Sequence, residues 1–146
     1  MESKEKIIEA FRRNGFRATP QRIAIAQIVL GSKDHPTAEQ VYELVKRSNP
    51  SISLSTVYNT LHAMRDVNML RELAFDDNHR YDPNTSMHVN LVCQKCGEIV
   101  DVEDETMEKE VDRISKRRGF SITGHRFDIY GVCRRCGIEN ARADTR

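Results

Sequence analysis

The chain of 146 residues is long enough for one sizeable domain or two small ones. Its hydrophobic content of 38% and its lack of tryptophan favour two small cores over one large core. It has no run of roughly 18 apolar residues, and its N-terminal segment is charged, so we expect a cytoplasmic protein with neither a membrane span nor a signal peptide. The net charge is +1, with 11 basic against 8 acidic residues in positions 1–72 and 12 against 14 in 73–146, a weak basic bias compatible with a nucleic-acid surface.

Two helices are predicted at the start of the chain. Residues 4–14 have helical apolar spacing, and Gly15 is suited to end that helix. Thr19 is a good N-cap for a second helix, because Pro20 then occupies the first helical position, where its missing N–H costs nothing. The dense apolar run Ile23–Leu30 predicts that the second helix is buried.

Two more helices follow in the same half. Thr37 and Gln40 form a capping box that begins the third helix, which is predicted to stop before Asn49-Pro50. The fourth helix is predicted from Ser53 or Ser55 to about Val67. One stripe of this helix is apolar, whereas the opposite face carries polar side chains: Ser55, Thr56, Tyr58, Asn59, His62 and Arg65.

A β-hairpin is predicted after the fourth helix. Leu70–Phe75 and Arg80–Asp82 have strand character, and the turn is expected at Asp76–Asn78. Helices followed by a polar-faced helix and a hairpin are typical of a winged helix-turn-helix domain.

The second half predicts a mixed arrangement. Met87–Val92 and Glu98–Val102 are strand-like, and a helix is expected from about Thr106 to Arg118, ended by Gly119. We also predict a strand from Phe120 to Val132. The whole chain is therefore expected to have an α+β fold.

Two Cys-x-x-Cys-Gly knuckles lie in this second half. Cys93 and Cys96 form the first, Cys133 and Cys136 form the second, and 36 residues separate the two knuckles. In a cytosolic protein, four cysteines predict metal or redox chemistry rather than disulfides. Four thiolates with no open position describe a closed, structural Zn²⁺ site, and we favour this over a redox dithiol.

Two further groups of residues are candidates for function. Ser55, Thr56, Tyr58 and Asn59 could reach base edges and phosphates in a major groove, although an ordinary solvated face would look similar. The second group, around the start of the second helix, could grip phosphate and consists of Arg17, Thr19 and Arg22.

The chain has five histidines, and one has an unusual setting. His88 lies six residues after Asp82 and five before the first knuckle, so a metal could hold it together with carboxylates. His62 and His79 are expected to be surface residues, as a lone histidine usually is.

Six segments of the sequence together resemble one protein family. They are GFRATPQR (15–22), HPTAEQVY (35–42), SISLSTVYNTL (51–61), RYD (80–82), HVNLVCQKCGEIVD (88–101) and IYGVCRRCG (129–137). Their order and spacing resemble the ferric uptake regulator family of bacterial and archaeal metal-dependent repressors over residues 6–137. Asp101, where iron-uptake regulators typically carry Glu, resembles the peroxide-responsive branch of the family.

The resemblance implies an architecture and a set of partners. It places a winged-helix DNA-binding domain at residues 1–82, a linker at 83–86 and a small α/β dimerisation and metal-binding domain at 87–146. It also implies a homodimer on palindromic double-stranded DNA, with no membrane partner. The four cysteines take the role of the structural Zn²⁺ ligands, and the regulatory Fe²⁺ or Mn²⁺ ligands correspond to His35, Asp82, His88, Asn90 and Asp101.

This sequence departs from the family pattern at two places. Asn90 stands where the fifth regulatory ligand is normally His, which makes the ligand set harder and favours Fe²⁺ or Mn²⁺ over Zn²⁺. Some relatives carry a third metal site, but here Glu108 and His125 match only two of its ligands, and Met87 and Val89 cannot replace the others. We therefore expect this third site to be absent or weak.

The peroxide-responsive reading implies a mechanism and competes with three alternatives. In this mechanism, the regulatory metal fixes the angle between two domains, and oxidation of His35 or His88 releases DNA, so the protein is not an enzyme.

The first alternative is an iron- or manganese-responsive uptake regulator indifferent to peroxide. The second is a small metallohydrolase, which turnover assays would identify. The third is a zinc-ribbon interaction module, which would bind no DNA.

Overall fold

The computed structural model describes residues 3–75 and 78–137. The chain divides into two units, Met1–Thr85 and Ser86–Arg146. Helices and sheets occur in both, which confirms the predicted α+β fold. None of the helices in the described ranges has the length and apolar character needed to cross a bilayer.

The first unit contains four helices and a hairpin. The helices are α1 Lys4–Arg13, α2 Pro20–Leu30, α3 Ala38–Lys46 and α4 Leu54–Asp66, and the strands are β1 Arg71–Phe75 and β2 Asn78–Asp82. The predicted caps are confirmed, since Thr19 accepts from the Arg22 N–H and both bonds of the Thr37–Gln40 capping box are present. Ser53, rather than Ser55, caps α4. Local sequence thus fixes where each of these helices begins.

Gly15 ends α1 as predicted. Its φ of +78° lies in the left-handed region, which glycine adopts without a Cβ penalty. The Gly15 N–H donates to Arg12 O at 3.1 Å and the Phe16 N–H donates to Phe11 O at 2.9 Å. These two bonds form a Schellman motif that turns the chain towards α2.

The core of the first unit lies between the helices and the hairpin. α4 buries Val57, Leu61 and Met64, so its apolar stripe faces inward as the helical spacing predicted. Phe11 of α1 is completely buried against them. The polar face of α4 is therefore the face directed away from this core.

The hairpin pairs β1 and β2 in antiparallel register. Arg71 is opposite Asp82, and Phe75 is opposite Asn78. The predicted turn at Asp76–Asn78 was wrong by one residue, because Asn78 already pairs in β2; Asp76 and Asp77 lie outside the described residues.

In residues 86–137 the second unit is built around a three-stranded sheet and includes one long helix. Its elements are β3 Val89–Cys93, β4 Ile99–Val102, α5 Glu105–Arg118 and β5 Phe127–Gly131. The central strand β3 pairs antiparallel with β4 and parallel with β5. Gly119 ends α5 with a φ of +60°, as its position predicted.

The predicted strand from Phe120 to Val132 was too long. Only Phe127–Gly131 is a strand, because β5 pairs with all five residues of β3 and finds no further ladder partner. The start of the predicted strand belongs instead to the end of α5, since the Phe120 N–H donates to Ser115 O at 3.0 Å. Alternating apolar residues here were not evidence of a strand within this sheet.

The second unit has little apolar core of its own. No residue of α5 is buried, and many large hydrophobic residues of this unit are exposed: Leu91, Val100, Val102, Ile114, Phe120, Ile122, Ile129, Tyr130 and Val132. Cys93 and Cys136 are among its few buried residues. Such a unit needs stabilisation beyond apolar burial.

Candidate metal centres and nucleic-acid face

The four cysteines form one cluster at an end of the sheet. Cys93 is the last residue of β3 and pairs with Gly131 of β5, so the two knuckles leave the parallel strands at the same end. All four sulfur atoms lie within 4.8 Å of one another, and the Sγ atoms of Cys96 and Cys133 are 3.8 Å apart. None of the four is in a disulfide.

The surroundings of the cluster stabilise the thiolates of the first knuckle, whereas burial raises the pKa of Cys136 in the second knuckle to about 12. The Cys133 N–H donates to Cys93 Sγ at 3.2 Å, and this bond, with one from the backbone of Cys96, lowers the pKa of Cys93 to about 6. The Glu98 N–H and the Arg135 guanidinium, which is 3.6 Å from Cys96 Sγ, lower the pKa of Cys96.

The geometry of the cluster fits one Zn²⁺ ion. A tetrahedral site with Zn–S bonds of about 2.3 Å has sulfur–sulfur edges of roughly 3.8 Å. The observed separation of Cys96 and Cys133 matches this edge. The donor set of four thiolates leaves no open position, which is typical of a structural site.

A second pair of candidate ligands lies in the first unit. His35 Nε2 is 3.7 Å from Asp82 Oδ1, and both side chains are buried. His35 precedes α3, and Asp82 is the last residue of β2. We call His35 and Asp82 the first half-site.

The hairpin holds the loop that carries His35. The Tyr81 N–H donates to Pro36 O at 3.0 Å. The Arg80 guanidinium donates to Asp34 O at 3.1 Å and to His35 O. His35 has a φ of +47°, a left-handed conformation that costs a non-glycine residue about 1–3 kcal/mol. Because this conformation is unfavourable alone, the bonds from β2 are what keep His35 beside Asp82.

Three further candidate ligands lie together in the second unit. Asn90 of β3 is opposite Asp101 of β4 in the antiparallel register. His88 Nε2 is 3.2 Å from Asn90 Oδ1 and 3.8 Å from Asp101 Oδ1, while His88 Nδ1 is 3.0 Å from Ser86 O. We call His88, Asn90 and Asp101 the second half-site. Each half-site offers a nitrogen and at least one oxygen, a donor set that suits Fe²⁺ or Mn²⁺.

Asp128 supports the second half-site, and the sequence analysis missed it. Asp128 of β5 pairs with Asn90 in the parallel register, and its Oδ1 accepts from Asn90 Nδ2 at 3.0 Å. Burial raises the pKa of Asp128, but hydrogen bonds from Arg126 and Asn90 outweigh this and keep the pKa below its ordinary value. No sequence motif marks this residue; only the pairing of β3 with β5 brings it to the site.

The remaining histidines and Glu108 lie elsewhere. His125 stacks on the Phe127 ring with centroids 5.9 Å apart. In the part of the chain that the structure describes, no cluster of three or more potential ligands contains Glu108 or His125. His79 Nδ1 is 2.7 Å from Glu72 Oε1, and His62 lies 6.3 Å from the Tyr58 ring.

The polar face of α4 is only partly available for contacts. Ser55 and Asn59 are exposed, whereas Thr56 and Tyr58 are half-buried. The Tyr58 hydroxyl donates to Glu39 Oε1 of α3 at 2.6 Å, which fixes the ring on the surface of the helix pair. Of the four candidate DNA-contacting residues, Ser55 and Asn59 are thus exposed one helical turn apart, beside the anchored ring of Tyr58.

The candidate phosphate-contacting residues lie around the start of α2. Arg17 and Thr19 are exposed and line an open groove of about 580 Å³ with Arg12. Arg22 is turned inward instead, because its guanidinium donates to Arg17 O at 3.1 Å and lies over the Phe16 ring. Arg17 is therefore better placed than Arg22 to contact a phosphate.

The chain is similar to known proteins in both sequence and fold. The model of the ferric uptake regulator family matches residues 13–130. The "Peroxide-responsive repressor PerR" of Staphylococcus epidermidis is 39% identical over 137 residues, which is 92% of this chain and 91% of that protein. The protein of the same name from Staphylococcus aureus strain Mu50 is 38% identical over 134 residues, 90% of each chain.

Solved structures show the same fold. The ferric uptake regulator of Helicobacter pylori superposes with a TM-score of 0.78 at 22% identity, covering 93% of this chain and 95% of that one. The Campylobacter jejuni peroxide stress regulator superposes with a TM-score of 0.73 at 28% identity, covering 93% and 100%. The chain therefore belongs to the ferric uptake regulator family.

Proposed function

We propose that this protein is a cytoplasmic, metal-dependent DNA-binding repressor that senses hydrogen peroxide and is not an enzyme. The observation that carries the proposal is that each unit holds a buried histidine with its Nε2 less than 4 Å from a carboxylate, His35 with Asp82 and His88 with Asp101. The full-length similarity to curated peroxide-responsive repressors supports the same reading and disfavours an uptake regulator.

In this proposal one regulatory ion would take ligands from both half-sites. Its ligands would be His35, Asp82, His88, Asn90 and Asp101, with the four-cysteine cluster reserved for structural Zn²⁺. An ion bound by ligands from two units favours one arrangement of those units, so metal and DNA would bind cooperatively by population shift. Fe²⁺ and Mn²⁺ both suit the nitrogen and oxygen ligands.

The proposed partner is palindromic double-stranded DNA bound by a homodimer. In each protomer, Ser55, Thr56, Tyr58 and Asn59 of α4 would face the major groove, and Arg17 with Thr19 would contact phosphates; Arg22 would act by supporting Arg17. The exposed hydrophobic residues of the second unit, including Ile114 of α5, offer the apolar surface that a dimer needs. A symmetric dimer matches a palindromic operator.

Peroxide sensing would rest on the two ligand histidines. Bound Fe²⁺ would activate hydrogen peroxide, which would oxidise an imidazole by two electrons: one peroxide oxygen would be inserted at a ring carbon and the other would leave as water. His35 and His88 are the side chains that would then gain oxygen. An oxidised imidazole is a poorer ligand, so the two units would lose their fixed arrangement and DNA would be released.

The test is mass spectrometry after anaerobic Fe²⁺ loading and a brief pulse of peroxide. We expect one added oxygen on the peptide containing His35 or His88, together with loss of DNA binding. A Mn²⁺-loaded sample should show neither, and the peptides with His62 and His79 are internal controls. Iron-loaded protein that keeps its DNA affinity and unmodified histidines would instead indicate a plain iron- or manganese-responsive regulator.

Arg80→Ala should weaken the first half-site. The substitution removes the hydrogen bonds that hold the carbonyls of Asp34 and His35, so His35 can relax from its left-handed conformation. Loss of such support typically lowers metal affinity about 10–100-fold. Mn²⁺ titration of the zinc-loaded protein would measure the change, and Arg13→Ala, at an exposed arginine of α1, is the control. Equal Mn²⁺ affinity in all three proteins would contradict this role.

A further inference from the structure

The orientation of the Asn90 side chain is fixed by its neighbours. Asp128 is an ion-paired carboxylate, 2.7 Å from the Arg126 guanidinium, so its oxygens accept hydrogen bonds. The amide nitrogen of Asn90 must therefore face Asp128, and it does so at 3.0 Å. Consequently the amide oxygen of Asn90 points the other way, towards His88.

The orientation of His88 is fixed in the same manner. Its Nδ1 is 3.0 Å from the carbonyl oxygen of Ser86, which can only accept, so Nδ1 carries a proton. In the neutral ring the lone pair then lies on Nε2, and it faces Asn90 Oδ1 at 3.2 Å and Asp101 Oδ1 at 3.8 Å. An imidazole nitrogen and two side-chain oxygens thus face one another, and a cation bound between them would contact all three.

The spacing of these atoms suits a metal ion. Bonds of roughly 2.1–2.3 Å in an octahedral site place neighbouring ligand atoms about 3.0–3.3 Å apart. The separation of His88 Nε2 and Asn90 Oδ1 falls in this range. A proton on His88 Nε2 would form a hydrogen bond with Asn90 Oδ1 alone. A metal ion could bind both of these atoms and Asp101 Oδ1 as well.

The Asn90–Asp128 bond joins two strands that backbone pairing also connects. Asn90 is the buried central residue between Asp101 on β4 and Asp128 on β5, and backbone pairing already joins the three strands. The bond to Asp128 also decides which atom of the buried Asn90 amide faces the imidazole nitrogen of His88.

We propose that Asp128 is a positioning residue of the regulatory site: it holds the amide nitrogen of Asn90, so that the amide oxygen faces His88 and can bind the proposed ion. This inference rests on the proposed function, since it concerns the same ion. With Asn90 the site has one imidazole fewer than a site with histidine at this position. Its preference for Mn²⁺ and Fe²⁺ over Zn²⁺ is therefore stronger than that of the histidine site. Asp128 touches no metal and acts only through Asn90.

The experiment compares Mn²⁺ affinities of zinc-loaded full-length variants. We expect Asn90→Ala and Asp128→Ala each to lower the affinity about 10–100-fold, the effect usual for a lost ligand or its support. If Asp128 acts through Asn90, the double variant will be no weaker than Asn90→Ala alone. Asp128→Asn keeps an acceptor oxygen and should retain most of the affinity. Asp112→Ala removes an exposed carboxylate from α5 and serves as the control.

Two spectroscopic readouts test ligation directly. Pulsed EPR of bound Mn²⁺, with histidine labelled by ¹⁵N, should count two imidazole ligands in the wild type and three in Asn90→His. The ratio of Zn²⁺ to Mn²⁺ affinity should rise in Asn90→His. An unchanged imidazole count and an unchanged ratio would overturn the inference.

His88→Ala separates failure of this inference from failure of the proposed function. If His88→Ala binds Mn²⁺ as tightly as the wild type, the proposed regulatory site is wrong. If His88→Ala loses Mn²⁺ but Asn90→Ala does not, the site stands and the role of Asn90 is overturned. Additive losses in Asn90→Ala and Asp128→Ala would assign Asp128 a separate structural role and overturn its part of the proposal.

Discussion

Cys96→Ser will unfold the second unit while the first unit stays folded. The second unit exposes large hydrophobic residues on its sheet and buries none of α5, so apolar burial alone gives it little stability. Structural Zn²⁺ contributes roughly 10–16 kcal/mol of apparent binding free energy in small zinc-dependent domains. Loss of one thiolate opens the site and removes much of this contribution.

The measurement is zinc content together with residue-level hydrogen exchange. We expect less than one zinc per chain and loss of protection in β3, β4 and β5, with protection retained in α2 and α4. Gln94→Ala, in the same knuckle between two cysteines, should keep both zinc and protection. A stable, protected sheet in zinc-free Cys96→Ser would show that the cluster does not hold this unit together.

Local sequence predicted the helix ends because their causes are local. Thr19, Thr37 and Gly119 each satisfy backbone groups within a few residues of themselves, so a short window contains the whole interaction. The cysteine knuckles were predictable for a similar reason. Each pair must reach one ion, and the spacing of two residues within a knuckle already permits this.

Two features that local sequence could not predict, the length of β5 and the position of Asp128, depend on strand pairing. Apolar and polar residues alternate in Phe120–Arg126 as in a strand, but a strand needs a partner strand. Phe127–Gly131 pairs with all five residues of β3, so the preceding segment has no place on that strand. Asp128 likewise becomes part of the second half-site only through its register with Asn90. Both facts depend on residues nearly 40 positions apart, which no local pattern encodes.

The role of Arg80 in the first unit also could not be predicted from local sequence. The motif that contains Asp82 identified a candidate ligand. The sequence did not show that Arg80, two residues earlier, donates hydrogen bonds to the loop that carries His35. That loop lies 45 residues earlier, in a conformation that is costly in isolation. A ligand set can thus be predicted from motifs, whereas the residues that hold it in place depend on tertiary contacts.

His88→Ala will abolish metal-dependent DNA binding without unfolding the protein. The imidazole is the nitrogen donor of the second half-site, and without it Asn90 and Asp101 supply only oxygens there. The proposed ion then loses its hold on the second unit and no longer favours one arrangement of the two units. Coupling between two ligands is typically about 5–150-fold, and this is the gain in DNA affinity on adding Mn²⁺ that should disappear.

Comparison of His88→Ala with Cys96→Ser tests whether the regulatory site and the zinc cluster are separate. His88 lies at the opposite end of β3 from Cys93, so the variant should keep its zinc and its protected sheet, unlike Cys96→Ser. His79→Ala, which removes an exposed histidine bonded to Glu72, should keep the full response to Mn²⁺. If His88→Ala still gained DNA affinity with Mn²⁺, the ion would act without the second half-site. If it lost zinc as Cys96→Ser does, regulation and folding would share one metal centre, because only separate centres allow one function to fail while the other persists.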